Sequence, residues 1–322
     1  MKKPWRGLLT FLSIFFLISC SDEPEKTVYR EKDRLTFSIP VISNNALLQT
    51  EADLILSGKV NELADNEYVK TVIDWYYGKW QDQLSYYKKT STMLHVTPKQ
   101  LGWLYDMVKT MTEALRIPMP DIFLVSDHEP NAYVTNISSP ILVIHSGLIE
   151  LLDQDELLFI IGHELGHLKF KHVLSMEIVQ TLFYGIDLIP TQFLRDTVAG
   201  IAMFSFLKWS REAEISADRM GMLAVGGSNE IASQALAKLM SGLHHYDVNI
   251  DELKKQKQEI DNAFILKKIP VLLTEATATH PFISSRVVSI YEFKQSPEYK
   301  QLKKSSNKKN ITFKVHNYGR SH

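Results

Sequence analysis

Residues 155–173 read DELLFIIGHELGHLKFKHV, and the reading of this stretch governs the rest of the chain. Its apolar residues recur at helical spacing, which predicts one amphipathic helix from Asp155 to Val173. Four residues advance a helix by slightly more than one turn, so His163 and His167 project from one face, close enough for both imidazoles to reach a single metal ion. Glu164 lies on the flank of that face, where its carboxylate can reach water beside the ion without becoming a ligand. Gly162 and Gly166, one turn apart, point to close packing against another helix, which would offset the weak helix propensity of glycine.

Two histidines do not complete a catalytic zinc site, which takes three protein ligands and keeps one position open. The segment from Trp209 to Val225 predicts a second helix with Glu214 and Asp218 one turn apart on one face. Glu214 is the expected third ligand, giving one Zn2+ per chain. Asp218 is placed to accept the hydrogen bond from the free ring nitrogen of a zinc-bound histidine. Taken alone, this pair would read as a solvated face balanced by Arg211 and Arg219. The histidine pattern upstream is what favours the metal. His172 falls near the end of the first helix and off its ligand face, and His95, His128 and His145 have no partners at ligand spacing.

Upstream, Thr97 and Pro98 read as an N-cap and first helical position, opening a helix over 99–115 that stops before Pro118. Asp121 to Val125, Asn131 to Val134 and Pro140 to Ile144 read as short strands. The expected fold class is therefore α+β, mainly α-helical, with a small β-sheet next to the histidine-bearing helix. The apolar stretch 173–207 is interrupted by Asp187, Pro190, Arg195 and Asp196, which leaves neither flank long enough to span a bilayer. It reads as two buried or interfacial helices.

The ends of the chain differ from its middle. Lys2, Lys3 and Arg6 precede an apolar run ending in Leu17-Ile18-Ser19-Cys20, so residues 1–20 read as a signal peptide whose ending resembles a bacterial lipobox, with Cys20 the lipidated position. Cys20 is the sole cysteine, which excludes an internal disulfide. Residues 21–34 read as a tether, 35–96 as a helical amino-terminal region, 97–296 as the catalytic domain and 297–322 as a basic solvated tail. Aromatic residues including Trp75, Trp80, Tyr86 and Tyr87 are expected to pack against the main domain. A net charge of -1 gives no field to attract nucleic acid.

The run His163 to His167, followed by Glu214 and Asp218, resembles the glutamate-ligand zincins, and more narrowly the metallopeptidase family of HtpX and the CAAX prenyl endopeptidases. Asn131-Ala132-Tyr133 is similar to that family's edge strand, and Thr279-His280-Pro281 with Arg286 to its late motif. The resemblance implies a zincin-like domain and a zinc endopeptidase in which Glu164 is the base and His280 or Arg286 steadies the oxyanion or the substrate backbone. Asn131, Ala132 and Tyr133 would bind an extended peptide as an added strand. Unfolded or extended polypeptides are the expected partners, along with the membrane through lipidated Cys20. The chain looks closer to the lipoprotein-type members concerned with envelope protein quality control, and Ser21 directly after the lipidated position, in place of the aspartate that commonly retains lipoproteins at the inner membrane, favours the periplasmic face of the outer membrane. Two other readings use the same residues: a lipoprotein chaperone or assembly factor with little hydrolysis, which would bind an envelope assembly partner, and a closed structural zinc site.

Overall fold

Two helices in backbone contact set the architecture. The computed structural model describes residues 30–41, 44–67, 70–71, 74–75, 80, 82–135, 138–178, 192–245, 248–262, 282–306 and 310–319. The histidine-bearing helix runs from Gln154 to Lys169 and is buried along nearly its whole length. Its amino end is fixed by Glu156, whose carboxylate accepts from the Asp153 amide at 2.9 Å and from the buried Lys238 ammonium at 2.8 Å. The carboxylate-bearing helix runs from Gln192 to Ala224.

The contact between them is a glycine seam. A Cβ on Gly162 would lie 2.6 Å from the Ala224 Cβ, one on Gly166 3.0 Å from the Met220 Cβ, and one on Gly221 2.6 Å from the Phe159 carbonyl oxygen. The expected structural role of Gly162 and Gly166 is thus met. The expected two helices over 173–207 are corrected in part, because residues 192–207 continue into the helix that carries Glu214. Residues 179–191 lie outside the described residues.

The expected end at Val173 is also corrected. The helix stops at Lys169, Lys171 takes a left-handed backbone (φ 60°), and a helical segment resumes over 172–178. This break redirects His172, with consequences described below.

We label the elements β1 (Arg30–Pro40), α1 (Glu51–Ala64), α2 (Asp82–Thr92), β2 (Leu94–Val96), α3 (Gly102–Leu115), β3 (Asp121–Val125), β4 (Ala132–Thr135), β5 (Ile141–His145), α4 (Ser146–Leu151), α5 (Gln154–Lys169), α6 (Gln192–Ala224), α7 (Asn229–Ser241), α8 (Ile250–Asn262), α9 (Ile283–Gln295), α10 (Pro297–Ser306) and β6 (Asn310–Gly319). The molecule is mainly α-helical with small sheets, as its sequence predicts. One sheet has the order β2-β3-β5-β4, with β3 and β5 parallel and the other pairs antiparallel. Its edge strand, β4, lies along α5. Helix α3 begins at Gly102 rather than residue 99, because the Thr97 and Gln100 backbones bond to each other and turn the chain first.

The second sheet corrects the reading of both chain ends. Strand β1 begins inside the stretch expected to be a tether and pairs antiparallel with β6, inside the stretch expected to be a tail. The reason is a period-two pattern: Leu35, Phe37 and Ile39 stand opposite Val315, Phe313 and Ile311. Phe37 and Ile39 are buried in the main core. Between the two strands in sequence, α10 also replaces part of the expected tail.

The residues before 97 hold on to the rest of the fold through buried carboxylates. Asp82 of α2 accepts from the Ser138 amide and hydroxyl at 2.7 Å each and from the Ser139 amide at 3.2 Å, pinning the turn between β4 and β5. The aromatic residues behave otherwise than expected. Tyr86 packs edge-on against Phe123, but Trp75, Trp80 and Tyr87 are more than half exposed. Tyr76 and Tyr77 lie outside the described residues. No described helix is long and apolar enough to cross a membrane.

Candidate metal centre and cleft

The seam brings the polar faces of α5 and α6 together. His163 Nε2 lies 3.1 Å from His167 Nε2 and 3.5 Å from Glu214 Oε2, and His167 Nε2 lies 3.4 Å from Glu214 Oε1. Ligands about 2.0–2.1 Å from a tetrahedral zinc ion would stand roughly 3.3–3.4 Å apart, so the spacing fits such an ion. The two imidazole nitrogens can face each other at this distance either across a shared cation or, in the metal-free protein, with one of them donating a proton to the other. The other ring nitrogens are taken. His163 Nδ1 is 2.9 Å from Asp218 Oδ1, and His167 Nδ1 is 2.9 Å from His172 Nδ1. The residues expected to converge therefore do so, including Asp218 in its expected place behind a histidine.

Arg286 completes this cluster from α9. Its Nε donates to Asp218 Oδ2 at 2.8 Å and its Nη2 to Asp218 Oδ1 at 2.6 Å, while Nη1 sits 3.5 Å from Glu214 Oε2. Such a fork-shaped pairing holds the carboxylate in one orientation. Burial would raise Asp218, but the Arg286 guanidinium and the His163 imidazole hold it below the usual carboxylate range. Burial likewise would lower His163, yet Asp218 and Glu214 raise it to about 10.

This shift has a sign that can be measured. Because the raised value favours the imidazolium, protein stripped of metal by a chelator carries a proton on His163 at neutral pH. Loading it with a divalent metal at pH 7 should then expel about one proton per ion, since ligands bind metal deprotonated. Titration calorimetry in buffers of different protonation enthalpy checks this, and a heat independent of buffer would contradict it. In the stripped protein, the stabilisation from this group is complete below 6.5, the ordinary imidazole value, and is lost as pH climbs to about 10.

Glu164 stands beside the three donors. Its Oε1 is 3.9 Å from His163 Nε2, and its Oε2 accepts from the Val134 amide at 3.2 Å. That bond reports the register of the edge. The His145 amide donates to the Asn131 carbonyl at 2.9 Å, so antiparallel alternation turns the backbone groups of Asn131 and Tyr133 toward β5 and those of Ala132 and Val134 outward. Of the expected strand-binding residues, Ala132 thus offers its backbone to the cleft, joined by Val134, while Asn131 and Tyr133 line the cleft walls.

The cleft continues on both sides of Glu164. One recess, of about 560 Å³, is bounded by Val134, Val173, Met176, Phe206 and Leu207 among others. The other, of about 170 Å³, is bounded by Pro130, Leu148, Ile160, Leu239 and Ile283. His280 and Cys20 lie outside the described residues. Sequence reasoning missed His172, which is buried and touches His167, because a continuous helix would have carried it away. The glycine-free break at Phe170-Lys171 left no signal in the sequence.

Two imidazoles and a carboxylate aimed at one point, with a further carboxylate beside them and an open strand edge alongside, define a metallopeptidase site. Comparison with known proteins agrees: the family described as Peptidase family M48 matches residues 98–294. The chain belongs to that family. The Plastoglobule-localized metallopeptidase 48, chloroplastic, of Arabidopsis thaliana is 30% identical over 256 residues, covering 78% of this chain and 72% of that protein. The Protease HtpX homolog of Campylobacter concisus is 25% identical over 219 residues, covering 60% of this chain and 74% of its relative. The crystal structure of S. mikatae Ste24p aligns with a TM-score of 0.43 at 15% identity, over 74% of this chain and 62% of that one, so the chain spans less than two thirds of that protein.

Proposed function

We propose that this chain is a zinc endopeptidase that cuts extended segments of unfolded or misassembled proteins in a bacterial cell envelope. The observation that carries the reading is the meeting of His163, His167 and Glu214 beside Glu164 in a cleft open on both sides. His163 and His167 through Nε2, and Glu214 through its carboxylate, would hold the ion. When bound, zinc supplies a Lewis acid that polarises a carbonyl and acidifies water.

The chain's own residues do the rest. Glu164 takes a proton from the attacking water and delivers it to the leaving nitrogen, so that one carboxylate serves as base and then acid. The outward N–H and C=O groups of Ala132 and the outward C=O of Val134 pair with the substrate backbone as an added strand, which admits extended chain and rejects folded chain. A recess on either side of Glu164 lets the substrate continue in both directions, as internal cleavage requires. Asp218 and Arg286 keep His163 and Glu214 oriented. His280, from the late Thr-His-Pro segment, is proposed to steady the oxyanion.

Lipidation at Cys20 would hold the enzyme on the envelope, with the periplasmic face of the outer membrane favoured. The exposed Trp75, Trp80 and Tyr87 support a second reading, a chaperone or assembly factor that binds an envelope partner through this surface. The purified protein is expected to contain about one zinc per chain, to cleave unfolded casein, and to stop when chelated and resume when zinc is restored. Cleavage indifferent to chelation would refute the reading. Fractionation of cells making wild type or Cys20→Ala tests the anchor: wild type should sediment with membranes and the variant should not.

A further inference from the structure

A chain of buried hydrogen bonds leads away from the proposed metal site into a helix that lies outside the family-matched residues. Asp53, on the first turn of α1, is fully buried. Both of its carboxylate oxygens lie 3.1 Å from His172 Nε2, and His172 Nδ1 lies 2.9 Å from His167 Nδ1. Ser57 Oγ donates to Asp53 Oδ1 at 2.8 Å, Trp209 Nε1 to the same oxygen at 3.1 Å, and Gln49 Nε2 to Oδ2 at 3.2 Å. The whole segment is fastened to α6 beside Glu214, with the Thr50 amide donating to Ser216 Oγ at 3.0 Å and Arg219 Nη1 to the Leu48 carbonyl at 3.2 Å.

Hydrogen-bond direction fixes the protons along this line. An ionised carboxylate only accepts, so His172 must donate from Nε2, which leaves its Nδ1 as an acceptor. His167 must then carry its proton on Nδ1, and its Nε2 lone pair is free to face His163 and Glu214. We propose that Asp53, acting through His172, is a positioning residue that sets the tautomer and ring orientation of His167 for metal binding. The amino-terminal helix is then part of the metal centre and more than a covering for it. This inference rests on the metal-site reading above, but it can fail while that reading stands.

The isosteric substitution Asp53→Asn tests it. The donors from Ser57 and Trp209 select the amide oxygen for the Oδ1 place, which sets the amide NH2 at the Oδ2 place, 3.1 Å from His172 Nε2, with Gln49 turning its own amide to accept there. His172 Nε2 would then face one donor and one neutral acceptor already shared with Ser57 and Trp209 in place of an ionised carboxylate, so its proton is no longer held on Nε2, and His167 is released to the tautomer with its proton on Nε2, the wrong nitrogen for a ligand. The measurement is zinc affinity by competition with a chromophoric chelator, together with thermal unfolding of the chelated proteins. Loss of such an outer partner typically costs roughly 10–100-fold in metal affinity, and that is the expected loss for Asp53→Asn, with the chelated variant melting close to chelated wild type.

Two further variants separate positioning from simple docking of the helix. Ser57→Ala removes a donor to Asp53 without touching His172 and should bind zinc as wild type does. His172→Gln keeps a donor toward Asp53 and an acceptor toward His167, and should retain more affinity than His172→Leu. Unchanged affinity in Asp53→Asn overturns the proposal, as does an equal loss in Ser57→Ala, or His172→Gln no better than His172→Leu. If wild type itself binds no zinc, the metal-site reading falls as well. If wild type binds zinc and cleaves casein while Asp53→Asn binds equally well, only this inference falls.

Discussion

Purified Glu164→Gln protein is expected to retain zinc but to cleave unfolded casein on the order of 10²–10⁴-fold more slowly than wild type, the usual worth of a general base. The two halves of this result rest on different distances. Glu164 Oε1 is 3.9 Å from His163 Nε2, so the carboxylate flanks the three donors and is not one of them. The amide of Gln has nearly the same shape and keeps an oxygen for the Val134 amide, so the β4 edge should stay in register. What the amide lacks is basicity. Undiminished cleavage would remove Glu164 from its assigned role. The same variant separates the two functional readings in cells, since rescue of a deletion strain by Glu164→Gln would favour the chaperone and failure of rescue would favour the enzyme.

The second large effect concerns the seam. Gly162→Val should destabilise the protein by about 3 kcal/mol, the upper part of the usual range for overpacking, and should abolish cleavage with it. A single added Cβ at this position already meets the Ala224 Cβ at 2.6 Å and the Gly221 Cα at 3.1 Å, and neither can swing aside. Better helix propensity would return only about 1 kcal/mol even for Ala. The displaced helices carry His163 and His167 on one side and Glu214 and Asp218 on the other, so a shift of the seam scatters the donors. Thermal unfolding checks the stability. In the milder Gly162→Ala background, Ala224→Gly should recover much of the loss by vacating the opposing position; no recovery would show that the contact is not what Gly162 serves.

The constellation was legible because each half of it is local. Spacing of four on an α-helix places His163 beside His167 and Glu214 beside Asp218 whatever the rest of the chain does. Gly162 and Gly166 were legible for the same reason. What depended on a distant partner was hidden. His172 reaches His167 only because the chain breaks at Phe170-Lys171, where no glycine or proline stands. Asp53 reads as an ordinary acidic residue in a helical first turn until α6 covers it. Strand β2 is three residues long, too short for a period to show. The outward set of edge groups, Ala132 and Val134, is decided by register against β5, which no single strand encodes.

The ends of the chain teach a related lesson. Leu35, Phe37 and Ile39 alternate with polar neighbours, as do Ile311, Phe313 and Val315, but both runs lie in charged surroundings that suggest solvated chain. Average composition concealed a strand that alternation discloses.

The pairing of β1 with β6 makes neighbours of two strands that stand far apart in the sequence. Such a pairing cannot form before β6 has been made, and pairing at this sequence separation is slow. Until β6 arrives, Phe37 and Ile39 lack the strand they pair with, and the newly made protease resembles the unfinished chains that it is proposed to cut.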